Sequence, residues 1–257
     1  MGLIRISRPW TRQPQGVVGI NRNNPLGRNL NMLLMTVGGR VIDLVNPNEV
    51  WTPGGDAKSK VTSAGIAASF DGTGDYFTCT GYARYSGNGT IFAWFPTIRG
   101  LVGSGQMLLC TSAIYTYIAN DSVFHFTGLV NNVNTGAIFN STNTSIVLTN
   151  FGVGSGIYTN GVLDKSGGSP GAFPAGAKTL RYGDYTGGGF GLNADCVILG
   201  WTNDTWTAKE AKAFHDNPWQ LFAPLPARIW APSGGVAPTF RPWYAPQRSR
   251  GIGIGMR

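Results

Sequence analysis

Residues 196–222, CVILGWTNDTWTAKEAKAFHDNPWQLF, combine a predicted buried strand with the best-marked helix of the chain. Cys196 to Gly200 is an apolar run of strand length, and Thr207 precedes Glu210 by three residues in the pattern of a capping box. This pattern predicts a helix that begins at Thr207 and ends after about three turns, at Asn217-Pro218. Large apolar residues follow at once and are expected to hold the helix against a sheet. They are Trp219, Leu221 and Phe222.

The rest of the 257-residue sequence has the composition of short strands joined by turns, with 38 glycines and only 12% charged residues. Apolar and β-branched segments recur about every ten residues, which is typical of a β-sandwich or barrel. The N-terminus lacks the apolar run of a signal peptide, and no segment has the length of a membrane span. Residues 46–64 are predicted to be a surface loop. The predicted strands are residues 29–37, 40–45, 76–80, 90–95, 106–111, 113–118, 123–127, 145–149, 156–159, 161–163 and 179–182.

Arginine is concentrated at the two ends of the chain. Six arginines precede Asp43 and five follow Asp216, with no acidic residue in either segment, so the ends carry +11. The nine basic and twelve acidic residues between them sum to −3. We therefore predict a basic arm at residues 1–28, one domain at residues 29–224 and a second basic arm at residues 225–257.

The arginines of the arms alternate with proline, tryptophan and glycine, which favours extended arms that dock on a neighbouring protein. A nucleic-acid tail and an extension without a partner are the alternatives. The predicted docking residues are Arg5, Arg8, Trp10, Arg12, Trp230, Arg241, Trp243, Arg248 and Arg250.

Cysteine and histidine give little sign of chemistry. Cys79, Cys110 and Cys196 are odd in number and lie in apolar sequence, which predicts buried, reduced thiols. His125 and His215 have no nucleophile or carboxylate partner at a recognisable spacing, so both are predicted to be structural.

Four stretches, in order, resemble the concanavalin A-like lectin/glucanase superfamily, in particular its laminin-G-like branch. They are SFDGTGDYFTC from residue 69, TIFAWF from residue 90, GIYTNGVLD from residue 156 and LRYGDYTGGGFGLNADCVILGWTNDTWTAKEAKAF from residue 180. The segments RPWTRQPQG and NPWQLFAPLPARIWAP, towards the two ends, resemble versions of this domain encoded by bacteriophages and prophages. The resemblance implies an all-β fold, a two-sheet antiparallel jelly-roll sandwich with one short helix on its C-terminal side.

The resemblance also sets expectations for a site. Glycosidases of the superfamily use two glutamates around an aspartate on one strand, with the two catalytic carboxyls roughly 5 Å apart. The glutamates here are Glu49, in the predicted loop, and Glu210, in the capping box, so no catalytic residue is predicted. Lectin-like jelly rolls often bind calcium through oxygen ligands at loop ends. Asp71, Asp75 and Asp184 are therefore the metal candidates, and no other cofactor is expected.

Two compatible hypotheses describe the function. The first is a non-enzymatic structural protein of a bacteriophage virion, such as a capsid decoration, cement, tail or fibre-associated protein. It would be assembled in the cytoplasm of the bacterial host and attached to capsid or tail subunits by its arms. The alternative is a lectin-like module that recognises host surface glycans through exposed aromatic residues and Asn-rich loops such as residues 130–143. The arms favour the first hypothesis, because a lectin module has no need of acid-free Arg/Trp extensions.

Overall fold

Short antiparallel β-strands dominate the computed structural model of the chain. The structure describes residues 13–14, 18–83, 88–100, 105–110, 115–119, 123–127, 132–137, 141–150, 156–166, 176–185 and 190–224. All of them belong to the unit Met1–Leu225, whereas the second unit, Pro226–Arg257, lies outside the described residues. No helix in the described ranges is long and apolar enough to cross a membrane.

The described ranges contain nineteen strands, one α-helix and two short 3-10 helices, Pro25–Gly27 and Pro218–Leu221. The first ten strands are β1 (Val18–Ile20), β2 (Leu30–Val37), β3 (Arg40–Asp43), β4 (Thr52–Gly54), β5 (Lys58–Thr62), β6 (Gly65–Asp71), β7 (Tyr76–Tyr82), β8 (Gly89–Ile98), β9 (Gly105–Cys110) and β10 (Tyr115–Ala119). The remaining elements are β11 (Val123–Thr127), β12 (Asn132–Ala137), β13 (Ser141–Asn150), β14 (Gly156–Thr159), β15 (Val162–Ser166), β16 (Lys178–Tyr182), β17 (Asn193–Cys196), β18 (Ile198–Thr202), α1 (Ala208–Asp216) and β19 (Phe222–Pro224).

The strands form two large sheets and one small ribbon. The smaller of the two large sheets has the order β12-β11-β10-β9-β16-β7-β4. The larger has the order β15-β14-β13-β8-β17-β6-β5, and β18 extends it from β8 to β2 and β3. The ribbon pairs β1 with β19. This confirms the predicted all-β sandwich of antiparallel sheets with one helix towards its C-terminal side.

The larger sheet is buried on both faces. Along β8, Ile91, Ala93 and Phe95 face the smaller sheet in one apolar cluster. Phe92 and Trp94 belong to a second cluster on the opposite face, which α1 and the segment after it cover. Successive side chains of a strand point to opposite faces, so a strand that is apolar throughout must have a packed layer on each side. We call the face covered by α1 the outer face.

The helix confirms the prediction made from residues 196–222. Thr207 is the N-cap of α1, and both reciprocal bonds of the capping box to Glu210 are present. Phe214 and Ala211 of the helix are fully buried against the outer face, together with Trp219, Leu221 and Phe222 beyond it. The predicted cover of the sheet by large apolar residues is therefore in place.

The apolar run Cys196 to Gly200 is not one continuous strand. Val197 separates β17 from β18, because the chain changes partners there: β17 pairs with β6, and β18 pairs with β2. Both stay beside β8. Periodicity could not show this break, since a fully buried strand is apolar before and after it.

The predicted loop at residues 46–64 contains two strands, β4 and β5. β5 lies at the edge of the larger sheet and pairs only with β6 along the described path. Its sequence, KSKVT, is polar because an edge strand is largely open to solvent and lysine blocks pairing with other chains.

The predicted boundary of the N-terminal arm at residue 28 lies inside the fold. Gln13 is 6% exposed, Val18–Ile20 pairs with β19, and Leu26 is buried in the outer cluster. The prolines of this segment did not prevent pairing, because β1 contains none of them. The predicted C-terminal arm lies outside the described residues.

Candidate functional site

A groove lies on the outer face where α1 ends. It consists of two adjoining pockets with volumes of about 300 and 290 Å³, and both are lined by Ser63 and Asn143. We call the two together the outer groove, the first the tryptophan pocket and the second the Asp195 pocket.

The tryptophan pocket has an apolar floor and a polar rim. Trp94 and Trp219 form the floor, 8% and 3% exposed, with ring centroids 6.5 Å apart and planes inclined by 55°. Trp94 projects from the central strand β8, and Trp219 from the 3-10 helix that follows α1. The polar side chains of the pocket belong to Ser63, Asn143, His215, Asp216 and Asn217.

His215 is held in one orientation by a buried serine. Its Nδ1 lies 3.1 Å from the Ser145 Oγ, and Ser145 is fully buried. The Ser145 hydroxyl has no other hydrogen bond to the described residues, so it is best satisfied by donating to Nδ1, which places the ring proton on Nε2. Burial lowers the pKa of His215, and Asp216 offsets this only in part. The ring is therefore neutral at neutral pH and offers an N–H donor. The sequence predicted a structural role, whereas the structure also places this residue in the groove.

The wall between the two pockets is an irregular point in the sheet. β13 and β8 are paired at Thr142–Thr97 and at Thr144–Phe95, but not at the intervening Asn143 and Pro96. Asn143 has a φ of +52°, a left-handed conformation that asparagine tolerates better than most residues. Proline has no N–H to give to the ladder. The irregularity turns the Asn143 side chain into the groove.

The Asp195 pocket is built around a buried ion-pair cluster. Asp195 is 1% exposed, and its Oδ2 accepts bonds from Lys60 Nζ at 2.9 Å and Arg99 Nη2 at 2.6 Å. Ser69 Oγ donates to Oδ1 at 2.7 Å. Burial alone would raise the pKa of Asp195, but the bonds from Arg99, Lys60 and Ser69 outweigh it and lower the pKa. The sequence analysis did not single out Asp195. Its one sign in the sequence is that a carboxylate directly precedes the apolar run that begins at Cys196.

Of the three metal candidates, the structure brings Asp71 and Asp75 together. Asp56 joins them, and the three offer oxygens that lie within 4.8 Å of one another, whereas Asp184 is not in this group. Asp75 accepts bonds from the backbone N–H groups of Asp56 and Asp71 at 2.8 and 3.1 Å. Asp71 accepts from Thr73 N–H at 2.9 Å. The bonds from Asp71 and Thr73 are local turn bonds, whereas the bond from Asp56 joins the turn to a distant segment. Three carboxylates are fewer than the roughly six to eight oxygens that calcium takes. A calcium site here stays a prediction.

The other predicted residues divide into two groups. The three cysteines are buried and unpaired, and burial is the main cause that raises the pKa of Cys79 to about 11 and of Cys110 and Cys196 to about 12. They are therefore unreactive thiols. The second group lies outside the described residues and comprises the predicted docking residues of the arms, Arg5, Arg8, Trp10, Arg12, Trp230, Arg241, Trp243, Arg248 and Arg250. The side chain of His125 also lies outside the described part.

Several solved structures share the architecture. Domain 4 of AbnA, an extracellular arabinanase from Geobacillus stearothermophilus, in complex with arabinotriose, matches with a TM-score of 0.59 and 12% identity over 73% of this chain and 98% of that domain. The shared fold is an antiparallel β-sandwich. The binding domain of botulinum neurotoxin serotype D matches with a TM-score of 0.56 and 11% identity over 75% of this chain. A Trypanosoma rangeli sialidase matches with a TM-score of 0.53 and 15% identity over 73% of this chain.

These matches differ in how much of each protein they cover. The chain spans 53% of the neurotoxin binding domain and 32% of the sialidase, so it corresponds to one part of each. At these identities the likeness shows the fold alone. No protein-family model and no curated protein matches the sequence.

Proposed function

We propose that this protein is a non-catalytic carbohydrate-binding module that holds a sugar in the outer groove. The observation that carries the proposal is the tryptophan pocket, with an indole floor under a rim of hydroxyl, amide, imidazole and carboxylate groups. A sugar ring presents apolar C–H faces and an equatorial belt of hydroxyls, so it needs both kinds of surface. The volume of about 300 Å³ is at the low end for ligand pockets and suits one sugar ring.

The structural matches support a binding role. One is a domain of an arabinanase in complex with arabinotriose, and another is the binding domain of a neurotoxin. Fold does not determine function. The matches therefore make the proposal reasonable, and the groove carries it.

The carboxylates of the groove are poorly suited to glycoside hydrolysis. A glycosidase needs one carboxyl that is protonated and another that is free to attack or to activate water. Asp195 is ionised and bound by three donors, and Asp216 is paired with Lys212 on the exposed side of α1. Asp195 therefore lacks the protonation state of a general acid, and Asp216 is held in an ion pair.

Two substitutions test the groove. Asn143→Gly keeps the left-handed backbone but removes the amide shared by both pockets, and Asp216→Ala removes an exposed carboxylate of the rim. Each should weaken glycan binding about tenfold, the effect of losing one hydrogen bond to a ligand in a site of this kind. A glycan array followed by calorimetry measures this.

Thr80→Ala is the matched control, because Thr80 is exposed on β7 of the smaller sheet. It should leave affinity unchanged. The proposal fails if no glycan binds, or if binding persists undiminished in both groove variants.

A second candidate function is a structural role in a bacteriophage virion, with the arms as the attachment. The observation that favours it is the absence of acidic residues from the two ends of the sequence, where eight arginines, three before Gln13 and five after Asp216, lie outside the described residues. Arginine forms forked bonds to carboxylates, and tryptophan fills apolar pockets, which suits docking on other virion subunits. A mass-spectrometric inventory of purified particles tests this role, and absence of the protein from them would exclude it.

A further inference from the structure

The two pockets of the outer groove differ in charge. The Asp195 pocket is lined by one carboxylate, Asp195, and one cation, Lys60; a second cation, Arg99, is bonded to Asp195 from outside this lining. The charge of this three-residue cluster is therefore +1. In the tryptophan pocket, Asp216 is balanced by Lys212, and His215 is neutral.

The two cations are held differently. The Arg99 side chain is 31% exposed and also donates to Phe70 O at 3.3 Å and to Asn193 Oδ1 at 3.5 Å. The Lys60 side chain is 51% exposed, and its ammonium has Asp195 as its one hydrogen-bond partner among the described residues. An ammonium has three N–H donors, so two remain for a ligand.

The walls of this pocket add neutral hydroxyl groups. Thr97 and Thr142 line it from the paired strands β8 and β13, and their hydroxyls make no hydrogen bond to the described residues. Ser63 and Asn143 connect the pocket to the tryptophan pocket next to it. The surface thus presents a cation with unused N–H donors among hydroxyls, next to the tryptophan pocket.

We infer that the outer groove binds an acidic glycan, with the acidic sugar residue in the Asp195 pocket and its neighbour in the tryptophan pocket. This inference rests on the proposed carbohydrate-binding function. The recognised chemistry is a carboxylate or sulfate on a sugar ring, which accepts charge-assisted hydrogen bonds from Lys60 Nζ. Asp195 repels a second anion, but Arg99 offsets its charge, so Lys60 is left to supply the net attraction.

The test compares the full-length protein on glycans in matched sets: a neutral oligosaccharide, its uronic-acid analogue, its sialylated form and its sulfated form. The wild-type protein should bind at least one acidic member about tenfold more tightly than the neutral one, as expected for a hydrogen bond to a charged group. Comparison of the affinities for the uronic-acid, sialylated and sulfated glycans identifies which acid is recognised.

Lys60→Ala should abolish this preference, because the affinity for the acidic glycan should fall about tenfold more than the affinity for the neutral one. Asp195 keeps its bonds to Arg99 and Ser69 in this variant, so the cluster should remain folded. Lys58→Ala is the matched control, because it removes the same charge from the same strand outside the groove. There Lys58 pairs with the exposed Asp56 and with no other described residue. It should keep the preference, and Lys60→Arg should keep most of it.

The outcomes separate the inference from the proposed function. Equal affinity for neutral and acidic glycans, or equal loss in Lys60→Ala and Lys58→Ala, overturns the inference and leaves the carbohydrate-binding function standing. Failure to bind any glycan overturns both.

Discussion

Asp75 is the carboxylate whose burial should be visible in the pH dependence of stability. It is 1% exposed, and burial, followed by a hydrogen bond with Asp56, raises its pKa to about 6 from an ordinary value of 3.8. Between these two pH values the folded chain binds more protons at this site than the unfolded chain does. The contribution of Asp75 to stability is therefore complete below about pH 4 and is lost as the pH rises towards 6.

We predict that this site lowers the free energy of unfolding by roughly 2 to 3 kcal/mol between pH 4 and pH 6. Asp75→Asn keeps the shape of the side chain but does not titrate, so its unfolding free energy should lack this decline. Urea denaturation at half-unit pH steps measures both proteins. Identical slopes would show that Asp75 titrates normally. Repeating the series with calcium tests the predicted metal site, because a bound cation would keep the carboxylates ionised and raise stability at pH 6.

At the residue scale, the sequence reveals turn chemistry better than it reveals the groove. The spacing of Asp71 and Asp75 around glycines shows a tight turn, and the structure places the two side chains together. Lys60, Asn143, Asp195 and His215 are far apart in the sequence and meet only because β5, β13, β17 and α1 share the outer face. No local sequence pattern therefore predicts that these residues line one groove.

The hairpin between β14 and β15 positions the helix that carries His215. Asn160 and Gly161 form its turn with φ values of +54° and +75°. Asn160 is bonded to Ser145 through both its N–H and its side-chain oxygen, and Ser145 in turn contacts His215. A Cβ at Gly161 would lie 2.7 Å from the Cα of Lys212 in α1.

Gly161→Ala should therefore destabilise the protein by roughly 2 to 4 kcal/mol, from the left-handed backbone and from the clash with the helix. It should also weaken glycan binding, because α1 must move. Gly38→Ala is the control: its φ is +56°, but a Cβ there meets nothing within 4 Å. That variant should lose only about 1 kcal/mol and keep full binding. Thermal unfolding measures the stability of both variants, and calorimetry measures their glycan binding. Equal losses of stability in the two variants would show that the turn does not support the helix.

At the element scale, elements with a local chemical signal were predicted well. The capping box correctly predicted the start of α1, and the strands predicted at residues 156–159 and 161–163 correspond to β14 and β15. β5 was missed because an edge strand needs no apolar face, and the break at Val197 was missed because it depends on which strands lie alongside. Local sequence predicts where helices and turns begin, but it does not predict which strands lie next to one another.

The folded domain includes more of the N-terminal segment than the amino-acid composition predicts. The Gln13 side chain accepts a hydrogen bond from Ile66 N–H at 2.5 Å, next to Gly65, and Val18 and Ile20 pack against the outer cluster. An arginine of this segment, Arg22, donates to the carbonyl groups of Gly27, Arg28 and Leu30. These contacts belong to the domain and not to an arm that docks elsewhere.

Two truncations should therefore differ. The protein without residues 1–12 is the reference, because it retains Gln13, β1 and every contact described above. Removing residues 1–20 also deletes Gln13 and β1 and should cost roughly 2 to 4 kcal/mol, the sum of one buried hydrogen bond and two partly buried side chains. Guanidinium denaturation of both proteins makes the comparison. Equal stability would mean that β1 adds nothing and that the boundary at residue 28 is right after all.

The pairing of β1 with β19 has a mechanical consequence. Val18 lies opposite Pro224, and Ile20 lies opposite Phe222, so the chain enters and leaves the ribbon at the same end. A force applied at residues 18 and 224 would act first on the Val18–Pro224 pair and open the ribbon one residue pair at a time, rather than shearing all its bonds together. Gln13 precedes the ribbon and is bonded to Ile66 of β6, so a force applied further towards the N-terminus would first load this contact with the larger sheet.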